Sequence, residues 1–344
     1  MRAARLHAYG EVLRIEEVPM PRPKAGEVVV RVAGSGFCHS DVHVIDGEIR
    51  VLPRLPLTLG HENAGSVSAV GAGVTSVREG DQVVVFGGWG CDQCTHCVAG
   101  FEQLCETPKW VGLSEYDGGY AEWLLVPRER YLIKLARLSP REAAVLTDAA
   151  LTPYRAVKLA MPVLEPDYFA LVIGLGGLGE FGLKLLRLFS GCPVIAIDVS
   201  EKKLRLAREL GATHALDGRA KDLAQQIADL TGGHGVCAAF DYVGTTSTLA
   251  LAIGATRSRG KVLQIGLAGG AASLEVLKTS RFEVSFEASL WGNLKELREV
   301  VALVESGRLD LIPLEYAPLE AINDVYARVK RGEVRGRVVI TPSA

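Results

Sequence analysis

Four cysteines stand within fifteen residues of one another, as Cys91-x2-Cys94-x2-Cys97-x7-Cys105. Thiolates at such spacing can meet around one zinc ion, which takes four sulfurs tetrahedrally at about 2.3 Å. A closed set of this kind leaves no position for substrate. Its expected work is to order a lobe too small to fold on a core of its own. His96 lies inside the same loop, and with four cysteines present it is expected at the surface. The other reading of such a cluster, two disulfides, suits an oxidising compartment rather than a cytosol.

A second piece of chemistry is carried by glycines. Gly174, Gly176 and Gly179, with Gly177 and Leu178 between them, make a G-x-G-x-x-G turn after the apolar run Ala170–Ile173 and before a helix-like run from Glu180 to Phe189. Glycines let the backbone approach a pyrophosphate, and the free N–H groups of a helix start favour its charge. Asp198 follows about 20 residues later at the tip of the next apolar run, as a dinucleotide fingerprint requires. A carboxylate there accepts both adenosine ribose hydroxyls and repels a 2′-phosphate, which points to NAD rather than NADP. Lys203 is a further candidate on the adenine side, and Gly266 is counted with the cofactor contacts. Glu180 brings a carboxylate next to the phosphate turn and is expected to point to solvent, where it favours the helix dipole.

A third set is scattered. Cys38, His39, Ser40, Asp41 and His43 fall in one short stretch, Gly60-His61-Glu62 in another, and Thr147-Asp148 through Thr152 in a third. Cysteine, histidine and carboxylate are metal-ligand types, but no single stretch holds a full set.

The elements that must position these groups change character along the chain. The first part is β-rich. Val28, Val30 and Val32 alternate with Val29, Arg31 and Ala33, and short apolar runs follow at 66–70, 82–86 and 120–126, split by Gly, Pro and Asp. This predicts a barrel or sandwich of short strands. After about Leu151 apolar strands (170–173, 194–197, 236–243, 261–267) alternate with helical runs (180–189, 201–210, 221–230), the pattern of a doubly wound parallel sheet. Two amphipathic helices (294–305 and 319–330) and a strand (336–340) close the chain. The fold class is therefore α/β in two parts, as 344 residues with 48% hydrophobic content suggest. With 38 basic and 40 acidic side chains and a net charge of −2, there is no basic face for nucleic acid. No apolar run reaches the ~18 residues of a membrane span, and Met1–Gly10 lacks a signal-peptide core. The expected location is the cytoplasm.

Residues 60–74 fit G-H-E-x2-G-x5-G-x2-V, and with the cysteine lobe and glycine turn in the same order the whole chain resembles the zinc-dependent medium-chain dehydrogenase/reductase superfamily. The run Leu146–Tyr154 is most similar to bacterial and archaeal NAD-dependent alcohol dehydrogenases, including secondary-alcohol enzymes. The resemblance implies a GroES-like catalytic domain (1–150, with the zinc lobe at about 88–110, completed by 291–344) and a Rossmann NAD-binding domain (151–290). It implies two Zn²⁺ ions per subunit. The catalytic one falls to Cys38, His61 and Asp148, where many relatives have cysteine at the position of Asp148. Three protein ligands leave one position for substrate oxygen. Glu62 is implied as a neighbour or exchanging ligand, and Ser40 and His43 as a proton relay running through the cofactor ribose. His39 and Arg337 are implied at cofactor phosphates, Thr152 at the nicotinamide, and Trp89, Trp110 and Trp291 at the substrate. Hydride transfer between an alcohol and its ketone or aldehyde, in a homotetramer, is the implied activity.

Alternatives differ in substrate or in kind. A polyol, threonine or special-metabolite dehydrogenase keeps the same sites. A zinc-ordered nucleotide-binding protein without turnover predicts a broken ligand set or relay, and none is visible. A zinc-free quinone reductase of the same fold lacks the Cys38, His61, Asp148 set. Cys192 and Cys237 read as buried strand-edge thiols without function, and His214 and His234 as loop residues.

Overall fold

The computed structural model describes residues 1–343 except 275, 277–279 and 281. The chain divides into two compact units, Met1–Leu151 with Trp291–Ala344, and Thr152–Leu290.

In the first unit a seven-stranded sheet runs in the order Leu132–Lys134, Gln82–Val85, Glu62–Val70, Val28–Phe37, Arg337–Thr341, Leu314–Pro318, and Trp123–Val126 pairs onto Val28–Phe37 as well. The pairs are antiparallel except Leu314–Pro318 with Arg337–Thr341. A three-stranded sheet of Arg14–Glu17, Arg2–Leu6 and Leu57–Thr58 lies beside the core that Leu6, Phe37, Ile45, Leu59, Tyr120, Ile322 and Ile340 fill. The C-terminal residues are therefore not an appendage. Arg337–Thr341 is an inner strand, and its loss would leave the open edges of two neighbours.

The helix Leu294–Glu305 starts on a reciprocal cap, with Asn293 Oδ1 accepting from the Glu296 amide and Glu296 Oε2 from the Asn293 amide, at 2.8 and 2.9 Å. At its other end Glu305 accepts the amides of Ala136, Arg137 and Leu138. The second terminal helix is shorter than its amphipathic pattern. Residues 319–321 form a 3₁₀ turn behind Pro318, and the α-helix begins at Ile322.

The second unit is a six-stranded parallel sheet in the order His214–Asp217, Val194–Asp198, Ala170–Ile173, Val236–Asp241, Thr256–Gln264, Ser285–Ala288. The helices Gly177–Phe189, Glu201–Glu209, Leu223–Leu230 and Thr246–Ala255 connect its strands. Strand order reverses at Ala170–Ile173, which has Val194–Asp198 on one side and Val236–Asp241 on the other. The glycine turn sits at the carboxyl end of that strand, where α/β sheets bind ligands. His214 opens a strand rather than a loop. The short edge runs His214–Asp217 and Ser285–Ala288 carry too little apolar alternation to stand out in the sequence.

Two glycines in this unit separate close approach from free space. A Cβ on Gly179 would lie 1.9 Å from the Gly174 carbonyl oxygen, whereas one on Gly254 meets nothing within 4 Å. Gly179→Ala is expected to lower stability by roughly 2 kcal/mol by forcing the turn and helix apart. Gly254→Ala, in a helix, should be neutral or stabilising by up to ~0.5 kcal/mol. Thermal unfolding of the two variants checks the contrast, and equal effects would contradict it.

Candidate active site and metal centres

Three neighbouring strands bring the scattered set together. Val28–Phe37 ends just before Cys38, Glu62–Val70 begins just after His61, and Arg337–Thr341 begins at Arg337. Their register puts Gly36 opposite Glu62 and Phe37 opposite Val338. Gly36 is required here, because a Cβ on it would lie 1.8 Å from Glu62 Oε2. Asp148 arrives from a fourth direction, at the end of the 3₁₀ turn Ala144–Thr147.

One donor atom each from Cys38, His61, Glu62 and Asp148 lies within 4.8 Å of the others, and all four residues are buried. Asp148 Oδ2 is 3.4 Å from Cys38 Sγ and 3.5 Å from His61 Nε2. Zinc bonds of about 2.0–2.3 Å at tetrahedral angles place ligands roughly 3.4–3.7 Å apart, so these three residues fit the ion.

Asp41, given no role from the sequence, stands behind them. It is fully buried at the third position of the helix His39–Asp46. Its Oδ2 accepts from the Cys38 amide at 3.0 Å and from the Tyr120 hydroxyl at 2.8 Å, and its Oδ1 is 3.4 Å from His61 Nδ1. A carboxylate on the far nitrogen of a ligand histidine fixes the ring and its tautomer. Tyr120, stacked on Phe37 at 5.5 Å, is kept protonated by burial and by the nearby Asp41 charge, which raise its pKa. The capping position of Asp41 was a local signal; the distant Tyr120 had none.

The electrostatics are those of a buried anionic cluster. Burial works against charge on His61, yet Asp41 and Asp148 hold its imidazole well above the usual range. Burial raises the Glu62 carboxyl to about 7 against the opposing charge of Arg337. Arg337 grips Glu62 with two guanidinium nitrogens, one of them Nε at 3.1 Å from Oε2, and its Nη2 is 3.5 Å from Asp148 Oδ2. Burial disfavours its charge, but Cys38, Glu62 and Asp148 overcome that and raise its pKa.

Ser40 Oγ is 3.5 Å from His61 Nε2. His43 stacks edge-on with the exposed His39 at 5.0 Å, and its Nδ1 is 2.5 Å from Glu48 Oε2. Trp291 packs edge-on against His61 at 5.7 Å and donates its indole N–H to the Thr147 carbonyl at 2.7 Å. Trp110 meets Trp291 at 6.5 Å.

The four lobe cysteines also lie within 4.8 Å of one another, with Cys94 and Cys105 sulfurs 3.9 Å apart. Backbone amides aim at the sulfurs at 3.3 Å, from Cys91 and Thr107 to Cys105 and from Cys94 to Cys91. Amides of Gln93 and Cys94 draw the Cys91 thiol down to about 6. Such donors favour thiolate, the form that binds metal. Asp92, in the left-handed region, is gripped by Arg128 and Arg130, and Arg130 also grips Glu102. His96 is exposed.

In the second unit Gly174 has φ 87° and Gly176 faces open space. Asp198 Oδ2 accepts from the Leu175 amide at 2.8 Å, and Lys203 Nζ is 3.7 Å from the same oxygen. Thr152 is buried in the first turn of Leu151–Ala160. Gly266 is a close backbone approach, its Cβ position 2.2 Å from the Val243 carbonyl carbon.

Two domain models match the chain, the alcohol dehydrogenase GroES-like domain over residues 24–137 and the zinc-binding dehydrogenase domain over 177–306. An NAD-dependent alcohol dehydrogenase of Sulfurisphaera tokodaii is 36% identical over 99% of this chain and 100% of its own length. A D-arabinose 1-dehydrogenase (NADP(+)) of Saccharolobus solfataricus is 36% identical over 99% and 97%. The alcohol dehydrogenase structure from Aeropyrum pernix superimposes with a TM-score of 0.94 at 40% identity, over 99% of this chain and 100% of that one. The chain belongs to the zinc-binding alcohol dehydrogenase family.

Two residues of this family member, Trp89 and Glu180, stand apart from their expected places. Trp89 is fully buried, stacks on Tyr131 and donates to the Phe86 carbonyl, so it is core to the lobe and leaves the substrate list. Glu180 is not in solvent but buried at 1% exposure in the first turn of the helix Gly177–Phe189. Arg337, expected at a cofactor phosphate, pairs with Glu62 and lies 3.5 Å from Asp148.

Asp41→Asn keeps one acceptor but loses the charge that orients His61. Zinc affinity at the Cys38, His61, Asp148 set is expected to fall about 10–100-fold, with the four-cysteine metal retained. Competition with a coloured chelator reads this, and an unchanged affinity would remove Asp41 from the metal site.

Proposed function

We propose that this chain is an NAD-dependent alcohol dehydrogenase that moves a hydride between an alcohol, secondary or medium-sized primary, and NAD. The observation that carries the reading is the convergence of Cys38, His61 and Asp148, three donor types at tetrahedral spacing, with Glu62 and Arg337 balancing charge behind them. Zinc bound there supplies a Lewis acid that polarises the substrate oxygen and eases loss of its proton. Cys38 and Asp148 together offset the charge of the ion as two thiolates would.

The chain's own groups divide the remaining work. Ser40, 3.5 Å from His61 Nε2, takes the hydroxyl proton. His43, whose Nδ1 is 2.5 Å from Glu48 Oε2, passes it on to solvent. Trp291 and Trp110 supply an apolar wall beside the metal donors. Asp198 receives the adenosine ribose, Lys203 borders the adenine, and the glycine turn receives the pyrophosphate with His39. Thr152 and Gly266 complete the cofactor contacts. Cys91, Cys94, Cys97 and Cys105 hold a second, structural zinc. The catalytic part is 1–150 with 291–344, and the NAD-binding part is 151–290.

A homotetramer in the cytoplasm fits two features. The edge strand Ser285–Ala288 leaves Phe286 40% exposed, and a bare edge of this kind invites pairing with a second copy. The four lobe cysteines are built as metal ligands, which suits a reducing compartment.

A substrate panel with NAD, following NADH absorbance, tests the function. Turnover is expected with 2-propanol, 2-butanol, cyclohexanol or benzyl alcohol. Turnover confined to a sugar alcohol or to arabinose would move the substrate to the polyol and sugar class. No turnover, with two zincs and NAD bound, would sink the catalytic reading.

Asp198→Gly removes both the ribose acceptor and the charge that repels a 2′-phosphate. The ratio of kcat/KM for NAD over NADP is expected to fall by at least about tenfold, the scale of one lost charged hydrogen bond. An unchanged ratio would take Asp198 out of cofactor choice.

A further inference from the structure

Cys192 and Cys237 lie 45 residues apart in the chain, yet their sulfurs are 4.0 Å from each other. Both stand at the amino ends of strands in the parallel sheet, the opposite end from the glycine turn. Cys192 is two residues before Val194–Asp198, and Cys237 is the second residue of Val236–Asp241. The segment leading into Ala170–Ile173 runs between those strands and fixes both thiols. Cys192 donates to the Glu165 carbonyl at 3.1 Å, Cys237 faces the Tyr168 carbonyl at 3.9 Å, and the Cys237 amide donates to Phe169. Neither thiol belongs to a metal cluster or to the cofactor turn.

The two are unequal. Cys237 is fully buried and Cys192 is 6% exposed beside the exposed Gly191. A hydrogen bond from Cys237 draws the Cys192 thiol down to about 7, while the same contact and burial push Cys237 up. Arg257, stacked on Tyr168 at 3.8 Å and paired with Glu165, adds a positive charge to the neighbourhood of Cys237. One thiol thus lies just beneath the surface and is drawn toward thiolate, and the other is protonated and held against it.

We propose that Cys192 and Cys237 are a peroxide-reactive dithiol that closes to a disulfide across the amino-terminal edge of the sheet. The Cys192 thiolate attacks one oxygen of hydrogen peroxide, the O–O bond breaks, and hydroxide leaves and takes up a proton as water. The Cys192 sulfenic acid then meets the Cys237 thiol. The S–S bond forms, the S–O bond breaks, and a second water carries off the thiol proton. Two electrons pass from the sulfurs to the peroxide. The sulfurs, 4.0 Å apart, must close to the ~2.05 Å of a disulfide. The bond would clamp the strand that carries Asp198 to Val236–Asp241 without touching the metal donors, and so would stabilise the nucleotide-binding unit.

The test uses the reduced, zinc-loaded full chain, treated with an equivalent of hydrogen peroxide, alkylated and digested with trypsin. A peptide linked through Cys192 and Cys237, lighter by two hydrogens and released by dithiothreitol, is the expected product. The unfolding midpoint should rise by roughly 5 °C, with alcohol turnover retained. Cys237→Ser, which keeps a donor beside Cys192 but no second thiol, should halt at the Cys192 sulfenic acid, trapped by dimedone. The proposal is overturned if peroxide oxidises the lobe cysteines while Cys192 stays alkylatable. It is equally overturned if wild-type Cys192 runs on to sulfinic acid with no linked peptide.

Discussion

A carboxylate cannot be buried alone, and at the centre of the first unit Glu62 is buried completely. The desolvation cost of one such charge is several kcal/mol unless a partner answers it. Arg337 answers it from 275 residues away in sequence, with both ends of its guanidinium on the two Glu62 oxygens. That pairing explains several features at once. Gly36 has no side chain because Glu62 occupies the space. Residues 337–341 form an inner strand because Arg337 must reach between its neighbours. The C-terminal segment is therefore part of the first unit and not of the second.

The same pair sets the electrostatic balance of the donor set. Asp41 and Asp148 each bring a carboxylate to a nitrogen of His61, and the one guanidinium of Arg337 is already divided between Glu62 and Asp148. A divalent cation among Cys38, His61 and Asp148 would offset the thiolate and the carboxylate that bind it, and the tetrahedral spacing gives it a place. Asp148 supplies a carboxylate where a thiolate would be the softer choice. The charge is unchanged, but the oxygen is a harder ligand than sulfur. It is also shared, since the Oδ2 that faces the metal donors is within 3.5 Å of Arg337. Arg337 thus tunes the ligand as well as supporting Glu62.

Much of this was legible in the sequence wherever function rests on short spacing. The four cysteines converge as their intervals require, and the glycine turn leads into its helix with Asp198 on the neighbouring strand. The strand–helix alternation after residue 151 shows the parallel sheet because each buried strand is an apolar run. What failed to show depends on contacts between distant segments. Trp89 has the composition of a pocket residue, but its ring is consumed by Tyr131 and Phe86 in the core. Glu180 reads as a surface charge, yet it is buried in the first turn of its helix. Arg337 carries no local sign that its partner is Glu62. Asp41 sits at a helix-capping position, but only the fold shows that its other oxygen faces His61. The Cys192–Cys237 contact has no motif at all, being made by the crossing of two strands with the segment between them.

We propose that three strand ends and the turn before Asp148 build a second metal centre, distinct from the cysteine lobe. Diffraction from crystals of the zinc-loaded chain, collected on both sides of the zinc absorption edge, tests it most directly. Two anomalous peaks per chain are predicted, one among the four lobe cysteines and one bonded to Cys38 Sγ, His61 Nε2 and Asp148 at ~2.0–2.3 Å. A lobe peak alone, with Glu62 still clasped by Arg337 and no density at the strand ends, would contradict the account.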